Sequence, residues 1–308
     1  MLLLHTGYVE LPPHIAQGGF DHAAVHARTG RLYVAHTAND AIDVVDCRAD
    51  QYLHSIGGLK GVAGALASNE RNLVFASNRG EKTVGVFPPD DEGGLFKVPV
   101  GIRPNGLAYD AGRNILLAAN VGDPATPGSF TVSVVDVAGK AMVASVPVPG
   151  RTRWTVFDPK QDVFFVNISD PAQILLIDAR DPSRVAGTYS VPAGGPHGLD
   201  LDGRRQRIYC ACDAKKLVCL DSRSGQVLGQ ADLSGVPDVV FFNAAMNHLY
   251  VAIGDPGVID VFDAAGMRRI EAVPTERGAH TMAFDADRNK VYAFLPQTHQ
   301  AAVYVDEG

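Results

Sequence analysis

The chain of 308 residues contains few cysteines, a single tryptophan and no long apolar run. Its four cysteines include no CxxC pair, which favours buried structural thiols and leaves a redox or metal role as the alternative. Since no run reaches about 18 apolar residues, we expect no membrane-spanning helix. The net charge of −7 disfavours binding to nucleic acid or to an anionic membrane surface.

The signatures of several enzyme classes are also missing. The sequence has no GxSxG nucleophile elbow, no GxxxxGK[ST] phosphate loop and no GxGxxG that opens a helix. The N-terminal stretch MLLLHTGYVELPP lacks the basic region and the full apolar stretch of a signal peptide. We therefore expect a cytoplasmic protein, or a periplasmic one if a leader was removed.

What the chain does contain is one pattern repeated seven times at a spacing of roughly 40 residues, the period of a four-stranded propeller blade. Each copy has three short apolar strands separated by turns, and the third strand ends in Asp or Ser. The clearest copies are Ala23–Asp46, Gly198–Asp221, Val239–Asp263 and Thr281–Asp306. The alternation has a period of two throughout, with no sustained helical pattern. The sequence thus predicts an all-β protein, a seven-bladed β-propeller forming a single domain over residues 1–308.

The fourth, outer strand follows the third strand in only six repeats, because the last repeat ends at VYVDEG. An unpaired strand, LLLHTGYVELP, precedes the first repeat. We predict that this N-terminal strand completes the last blade, because closing the ring removes exposed sheet edges.

The repeats RLYVAHTANDAIDVVD, RIYCACDAKKLVCLD and HLYVAIGDPGVIDVFD resemble those of the YVTN-type, YncE-like family of seven-bladed propellers. That resemblance covers nearly the whole chain and implies the fold rather than a function. A weaker similarity is to the virginiamycin B lyase family, whose channel histidines act with Mg²⁺. His197 and His280 stand at the matching positions, whereas Gly278 and Pro296 stand where that family has acidic residues.

Aligning the repeats at the start of the innermost strand places one residue per blade on the channel axis. In order these residues are His22, Ala63, Asn105, Arg153, His197, Asp238 and His280. Blade 7 neighbours blade 1 in a closed ring, so four consecutive blades supply the histidines and the aspartate. Three imidazoles and one carboxylate suit Zn²⁺, Fe²⁺ or Cu²⁺, with Mg²⁺ as a further candidate. We predict metal ligation by His22, His197, His280 and Asp238, with Asp238 and His280 also as proton-transfer residues.

The opposite wall of the channel is predicted to hold a small-molecule substrate that is anionic or carries a carbonyl group. Arg153 and Arg103 supply positive charge there, and Asn105 supplies hydrogen bonds. Trp154 lies beside Arg153 in sequence, and His36 ends the second strand of blade 1. This arrangement favours a metal-dependent hydrolase, lactonase-like in type, or a lyase.

Simpler interpretations remain open for the same residues. The central channels of propellers are filled with water, so polar lining residues are expected even where there is no functional site. Arg153 can instead pair with a nearby carboxylate, and Trp154 can pack between blades. The alternative function is a non-catalytic binding module or scaffold for a ligand or a protein partner.

Overall fold

The seven repeats form seven antiparallel sheets of four strands each in the computed structural model, which describes residues 2–308. The inner strands of blades 1 to 6 pack side by side in order, and the inner strand of blade 7 packs against that of blade 1. Between blades 6 and 7, Val239 and Met282 belong to one apolar cluster. The predicted all-β, seven-bladed propeller is therefore confirmed. Short alternating runs form these strands because one face of each blade packs on the next blade.

The strands are numbered β1 to β28 in chain order, and equivalent strands recur in each blade. The inner strands of blades 1 to 7 are β2 Phe20–His26, β6 Val62–Ser68, β10 Pro104–Asp110, β14 Thr152–Asp158, β18 Pro196–Asp202, β22 Pro237–Asn243 and β26 Met282–Asp285. The second strands are β3 Arg31–His36, β7 Leu73–Asn78, β11 Ile115–Asn120, β15 Val163–Ile168, β19 Arg207–Cys212, β23 His248–Ile253 and β27 Lys290–Leu295.

The remaining strands lie toward the rim. The third strands are β4 Ala41–Asp46, β8 Thr83–Phe87, β12 Thr131–Asp136, β16 Gln173–Asp178, β20 Lys216–Asp221, β24 Val258–Asp263 and β28 Gln300–Asp306. The outer strands are β5 Gln51–Ile56, β9 Phe96–Pro99, β13 Ala141–Pro147, β17 Gly187–Ser190, β21 Val227–Asp232, β25 Arg268–Pro274 and, for blade 7, β1 Leu3–Glu10. Helical structure in residues 2–308 is limited to two 3₁₀ turns, Thr37–Asn39 and Glu92–Gly94, and no helix is long and apolar enough to cross a membrane.

Blade 7 is completed by the N-terminal strand, as the sequence predicts. β1 pairs antiparallel with β28, with Leu3 opposite Asp306 and Glu10 opposite Gln300. Leu3 and Val9 on this strand are buried in the apolar layers on the two sides of blade 7. The two ends of the chain thus hold the ring together through one shared sheet.

The cysteines are buried and unpaired, as expected for structural thiols. Burial raises the pKa of the Cys47 thiol to about 12 and that of Cys219 to about 11. A thiol with such a pKa is almost entirely protonated at neutral pH, which argues against a nucleophilic role for these two.

The inner strands approach one another so closely that some positions tolerate only glycine. A Cβ atom on Gly64 would lie 2.3 Å from the carbonyl oxygen of Asn105 in the next blade. A Cβ atom on Gly106 would lie 2.5 Å from the carbonyl oxygen of Arg153. The obstructing atoms are backbone, so they cannot move aside as a flexible side chain would.

Replacing Gly106 with alanine is expected to lower the free energy of unfolding by about 1–3 kcal/mol, because the added methyl group displaces backbone. Gly57→Ala is the matched control, because nothing lies within 4 Å of the Cβ position at Gly57. Chemical denaturation of both variants measures the difference. Equal stability of the two variants would show that the inner strands are less tightly packed than described.

Candidate functional site

A β-bulge at the start of the inner strand turns the predicted ring residues toward the axis. In β2 the pairing register shifts between Phe20 and Ala23, which frees His22 from the ladder. Equivalent shifts free Ala63, Asn105, Arg153, His197 and Asp238 in the next five blades. An extra residue on one strand bends it and re-aims its side chains, which is why such bulges recur beside functional sites. In blade 7, β26 begins after His280, so this histidine lies in the preceding loop.

The freed side chains surround a polar chamber of about 350 Å³ at the mouth where the inner strands begin. Six of the seven predicted ring residues line it, and the buried Ala63 does not. The polar and charged residues that line the chamber are Asp21, His22, Arg79, Asn105, Arg151, Arg153, His197, Asp238, Asp255 and His280. Residues more than 250 positions apart thus meet at one place, as the repeat register predicts.

Asp238 is the carboxylate around which the histidines gather. One oxygen, Oδ1, lies 2.9 Å from His197 Nε2, and the other, Oδ2, lies 3.7 Å from His280 Nε2. Burial alone would raise the pKa of Asp238, but the bond to His197 and the charges of nearby histidines outweigh burial and hold its pKa far below the usual range. Asp238 is therefore ionised at any physiological pH.

His197 lies between two carboxylates and beside a guanidinium. Its Nδ1 is 2.7 Å from Asp213 Oδ1, and its Nε2 is also 3.0 Å from Arg153 Nη1. Burial lowers the pKa of His197, but the bonds to Asp213 and Asp238 outweigh it, so the net pKa is raised. The imidazolium form donates to both carboxylates, whereas the neutral form can accept a hydrogen bond from Arg153. The partner of His197 at Nε2 therefore depends on its protonation state, Asp238 for the imidazolium and Arg153 for the neutral ring.

His22 has the opposite protonation preference. It is 4% exposed, and this burial lowers its pKa even though Asp21 and Asp238 are near. Its Nε2 lies 3.3 Å from Asp21 Oδ1, and one potential ligand atom each from Asp21, His22 and Asp238 lie within 4.8 Å of one another. A neutral imidazole between two carboxylates is in the form that binds a metal ion.

The arginines crowd the other side of the chamber. Arg79 pairs with Asp21 at 3.2 Å, and Arg153 is held by Ser169 at 3.0 Å and Asp213 at 3.4 Å. Arg151 forms no ion pair with any residue in the described part of the chain, and partial burial together with the charges of Arg153, Arg103 and Arg79 lowers its pKa. Among these three arginines, Arg151 thus remains the one without a carboxylate partner, and a cation left so among other guanidinium groups favours binding of an anionic ligand.

The side chain of Trp154 does not line the polar chamber. It lines a second cavity of the channel, which we call the apolar chamber. Its ring centroid lies 4.1 Å from that of His22 in blade 1 and 6.2 Å from that of Phe241 in blade 6. Because Trp154 belongs to blade 4, its side chain reaches across the channel. It lines only the second, apolar chamber, whereas His22 lines both.

Two further residues predicted to bind substrate lie outside both chambers. His36 is fully buried, with Nδ1 2.7 Å from Asp43 Oδ2 and Nε2 2.7 Å from His14 Nδ1. Arg103 is exposed and influences the chamber through its charge near Arg151. The structure therefore brings together Arg153 and Asn105 from that predicted group, and gives Trp154, His36 and Arg103 other surroundings.

The sequence does not single out Asp21 or Arg79, whereas the ends of the second strands place Asp213 at the mouth above the ring. Arg79 and Asp213 each stand one residue beyond the second strand, after Asn78 and Cys212. Ser169 occupies the same place in blade 4, so this register position forms a second tier above the ring. Aligning the repeats at the ends of the second strands identifies this tier, whereas aligning them at the inner strands alone does not.

Comparisons with known proteins agree with the propeller. The chain is 21% identical over 280 residues to the uncharacterized protein YncE of Salmonella typhimurium, covering 89% of this chain and 68% of that protein. YncE of Salmonella typhi matches with the same identity and coverage. No family model matches the chain. The predicted similarity to YncE and the predicted propeller fold are both confirmed.

Two solved structures share this architecture. A chain of hydrazine synthase from Kuenenia stuttgartiensis superposes with a TM-score of 0.78 at 14% identity, covering 95% of this chain and 96% of that chain. A chain of the mitotic checkpoint complex gives 0.81 at 10% identity, covering 98% and 91%. At these identities the likeness shows the fold alone.

Proposed function

We propose that the polar chamber is the active site of a metal-assisted hydrolase or lyase acting on a small anionic molecule with a carbonyl group. The observation that carries this proposal is the cluster of Asp21, His22 and Asp238, whose ligand atoms lie within 4.8 Å of one another. Arg151 and Arg153 line the same chamber and supply the complementary positive charge for the substrate.

The protonation states of these groups fit a divalent metal ion. His22 is kept neutral by burial and Asp238 is kept ionised, which are the forms that coordinate. His280, whose side chain is 45% exposed, lies near enough to Asp238 to add a second imidazole. Mixed imidazole and carboxylate donors suit Zn²⁺ or Fe²⁺. Gly278 and Pro296 stand where the virginiamycin B lyase family has acidic residues. In this proposal Asp21 and Asp238 provide the carboxylates instead.

His197 serves as the proton donor in this proposal rather than as a ligand, because its raised pKa favours the imidazolium. A bound metal ion would polarise the substrate carbonyl as a Lewis acid. Arg151 and Arg153 bind the substrate's negative charge and orient it. In hydrolysis, water adds to the carbonyl carbon while the bond from that carbon to the leaving oxygen breaks. His197 gives its proton to the leaving oxygen, and the proton released by the water returns to His197. Asp213 and Asp238 stabilise the charged imidazole before and after this exchange.

His22→Asn is expected to weaken metal binding by roughly 100-fold or more, since losing even an outer-sphere partner costs 10- to 100-fold. His54→Asn is the matched control, because His54 lies on an outer strand beside Glu92. Metal content of untagged protein and Zn²⁺ titration of the Trp154 fluorescence measure binding, since the His22 ring lies 4.1 Å from Trp154. Wild-type protein that takes up no Zn²⁺ or Fe²⁺ would exclude the metal-assisted reaction.

A metal-free ligand pocket is the second candidate, and one observation favours it. The charged groups of the chamber already form ion pairs with one another without a metal ion. Arg79 pairs with Asp21, and His197 pairs with Asp238. In that case a dicarboxylate such as malonate would stabilise the protein equally with and without EDTA. Under the metal-assisted proposal, EDTA would weaken that stabilisation.

A further inference from the structure

The apolar chamber has a volume of about 800 Å³ and opens at the mouth where the inner strands end. Its walls combine small side chains of blades 1 to 3, such as Ala24, Ala65 and Ala108, with aromatic side chains. The aromatic residues that line it are Tyr109, Trp154, Phe157, Phe241 and Phe284. A cavity of this size with mostly apolar walls is typical of a small-molecule site.

One carboxylate, Asp200, lies in the wall of this chamber. Its two oxygens accept hydrogen bonds from the backbone N–H groups of Leu201 at 2.8 Å and Phe242 at 2.6 Å. No lysine, arginine or histidine of residues 2–308 forms an ion pair with it, and burial raises its pKa to about 6. Asp200 is therefore a partly buried carboxylate at a cavity wall without a cationic partner, and a bound cation would offset the cost of its desolvation.

The charges at the rim favour the same kind of ligand. Besides Asp200, the lining carries the carboxylates of Glu70, Asp110 and Asp162. The only guanidinium in the lining, that of Arg113, is already bonded to Asp110 at 2.7 Å and to Asp162 at 2.9 Å. The chamber therefore has an excess of negative charge, in contrast to the arginine-rich wall of the polar chamber.

We propose that the apolar chamber binds an organic cation, an amine or quaternary ammonium ion with an apolar body, whose charge lies opposite Asp200 among the aromatic rings. Aromatic faces attract such cations through their negative quadrupole, and a nearby carboxylate adds direct charge attraction. The apolar body fills the space between Trp154 and the alanines. This site is distinct from the polar chamber, and the proposal does not depend on the reaction proposed there.

Benzyltrimethylammonium is the probe, and Trp154 reports its binding because it is the chain's only tryptophan and lines this chamber. We expect the probe to change Trp154 fluorescence and to raise the melting temperature, with saturation below about 10 mM. Benzyl alcohol and benzoate, which are neutral and anionic, should bind at least about tenfold more weakly. Equal binding of benzyl alcohol, or no binding of the cation, would overturn the proposal.

Two variants test the location. Asp200→Asn keeps an oxygen for one backbone bond and removes the charge, so affinity for the cation should fall by about tenfold or more. Ala67→Phe fills part of the chamber and should block the probe while leaving Asp200 in place. Asp232→Asn, which changes an exposed carboxylate paired with Lys216, should leave binding unchanged. Binding that survives Ala67→Phe would place the probe elsewhere and overturn the proposal, even if Asp200→Asn does not fold.

Discussion

Removal of residues 1–12 is expected to abolish cooperative folding or to lower the melting temperature by about 15 °C or more. The deletion takes away β1, which pairs with β28 from Leu3 to Glu10. It also removes the buried side chains of Leu3, Val9 and Leu11. Each contributes about 1.5–3 kcal/mol by burial, and their combined loss of roughly 4.5–9 kcal/mol approaches the whole stability of an ordinary domain.

The deletion also exposes β28 as an edge strand with unsatisfied backbone groups, so the truncated protein should self-associate. Size-exclusion chromatography and thermal unfolding monitored by circular dichroism measure both effects. A truncated protein that remains monomeric with an unchanged melting temperature would show that blade 7 is stable with three strands.

Moving the deleted strand to the other end of the chain provides the control. Leu3 lies opposite Asp306, and the N–H of Glu307 donates to the carbonyl oxygen of Leu2 at 3.2 Å. A short turn after Gly308 could therefore lead directly into the β1 sequence as a hairpin. This permuted protein should recover most of the stability, because pairing and burial are restored while the connection between the chain ends changes.

The fold could be predicted from the sequence because each blade repeats one local pattern. Alternation of period two, turn residues and a constant spacing specify strands and blade number without any knowledge of long-range contacts. The convergence of His22, His197, Asp238 and His280 follows from that register, since the closed ring makes blades 7 and 1 neighbours. These predictions needed only the repeat and the rule that inner strands line the channel.

Other features of the site depend on tertiary geometry that the repeat does not encode. Trp154 directly follows Arg153, but the bulge between Thr152 and Thr155 leaves both unpaired, and the large ring lines the apolar chamber. His36 ends a strand, yet Asp43 on the neighbouring strand and His14 in the N-terminal segment bury it. Side-chain direction after a bulge and the path of a non-repeating segment cannot be read from alternation alone.

Asp238→Asn is expected to destabilise the protein by roughly 2–3 kcal/mol near neutral pH. Asp238 and His197 form a largely buried pair, with side chains 13% and 15% exposed. Removing one charge of such a pair commonly costs 3–5 kcal/mol, and the value here is smaller because Asp213 still faces the other nitrogen of His197. Chemical denaturation measures the change, and Asp232→Asn, at an exposed ion pair, is the control with little expected effect.

The dependence of this effect on pH distinguishes the ion pair from a loss of packing. The pKa of His197 is raised in the folded protein above its ordinary value of 6.5, so the unfolded state loses its proton first as pH rises. The stabilisation is therefore complete below about pH 6.5 and disappears as pH increases through the folded pKa. The cost of Asp238→Asn should accordingly shrink between about pH 6 and about pH 9.

A double-mutant cycle with His197→Gln isolates the pair from His22 and His280, which also face Asp238. The coupling energy should be large near pH 6 and small near pH 9, and the NMR-measured pKa of His197 should fall in Asp238→Asn. A coupling that is already small near pH 6 would mean that His197 is neutral in the folded protein. Arg153 would then be its partner at Nε2, and His197 could not supply the proton that the proposed reaction requires.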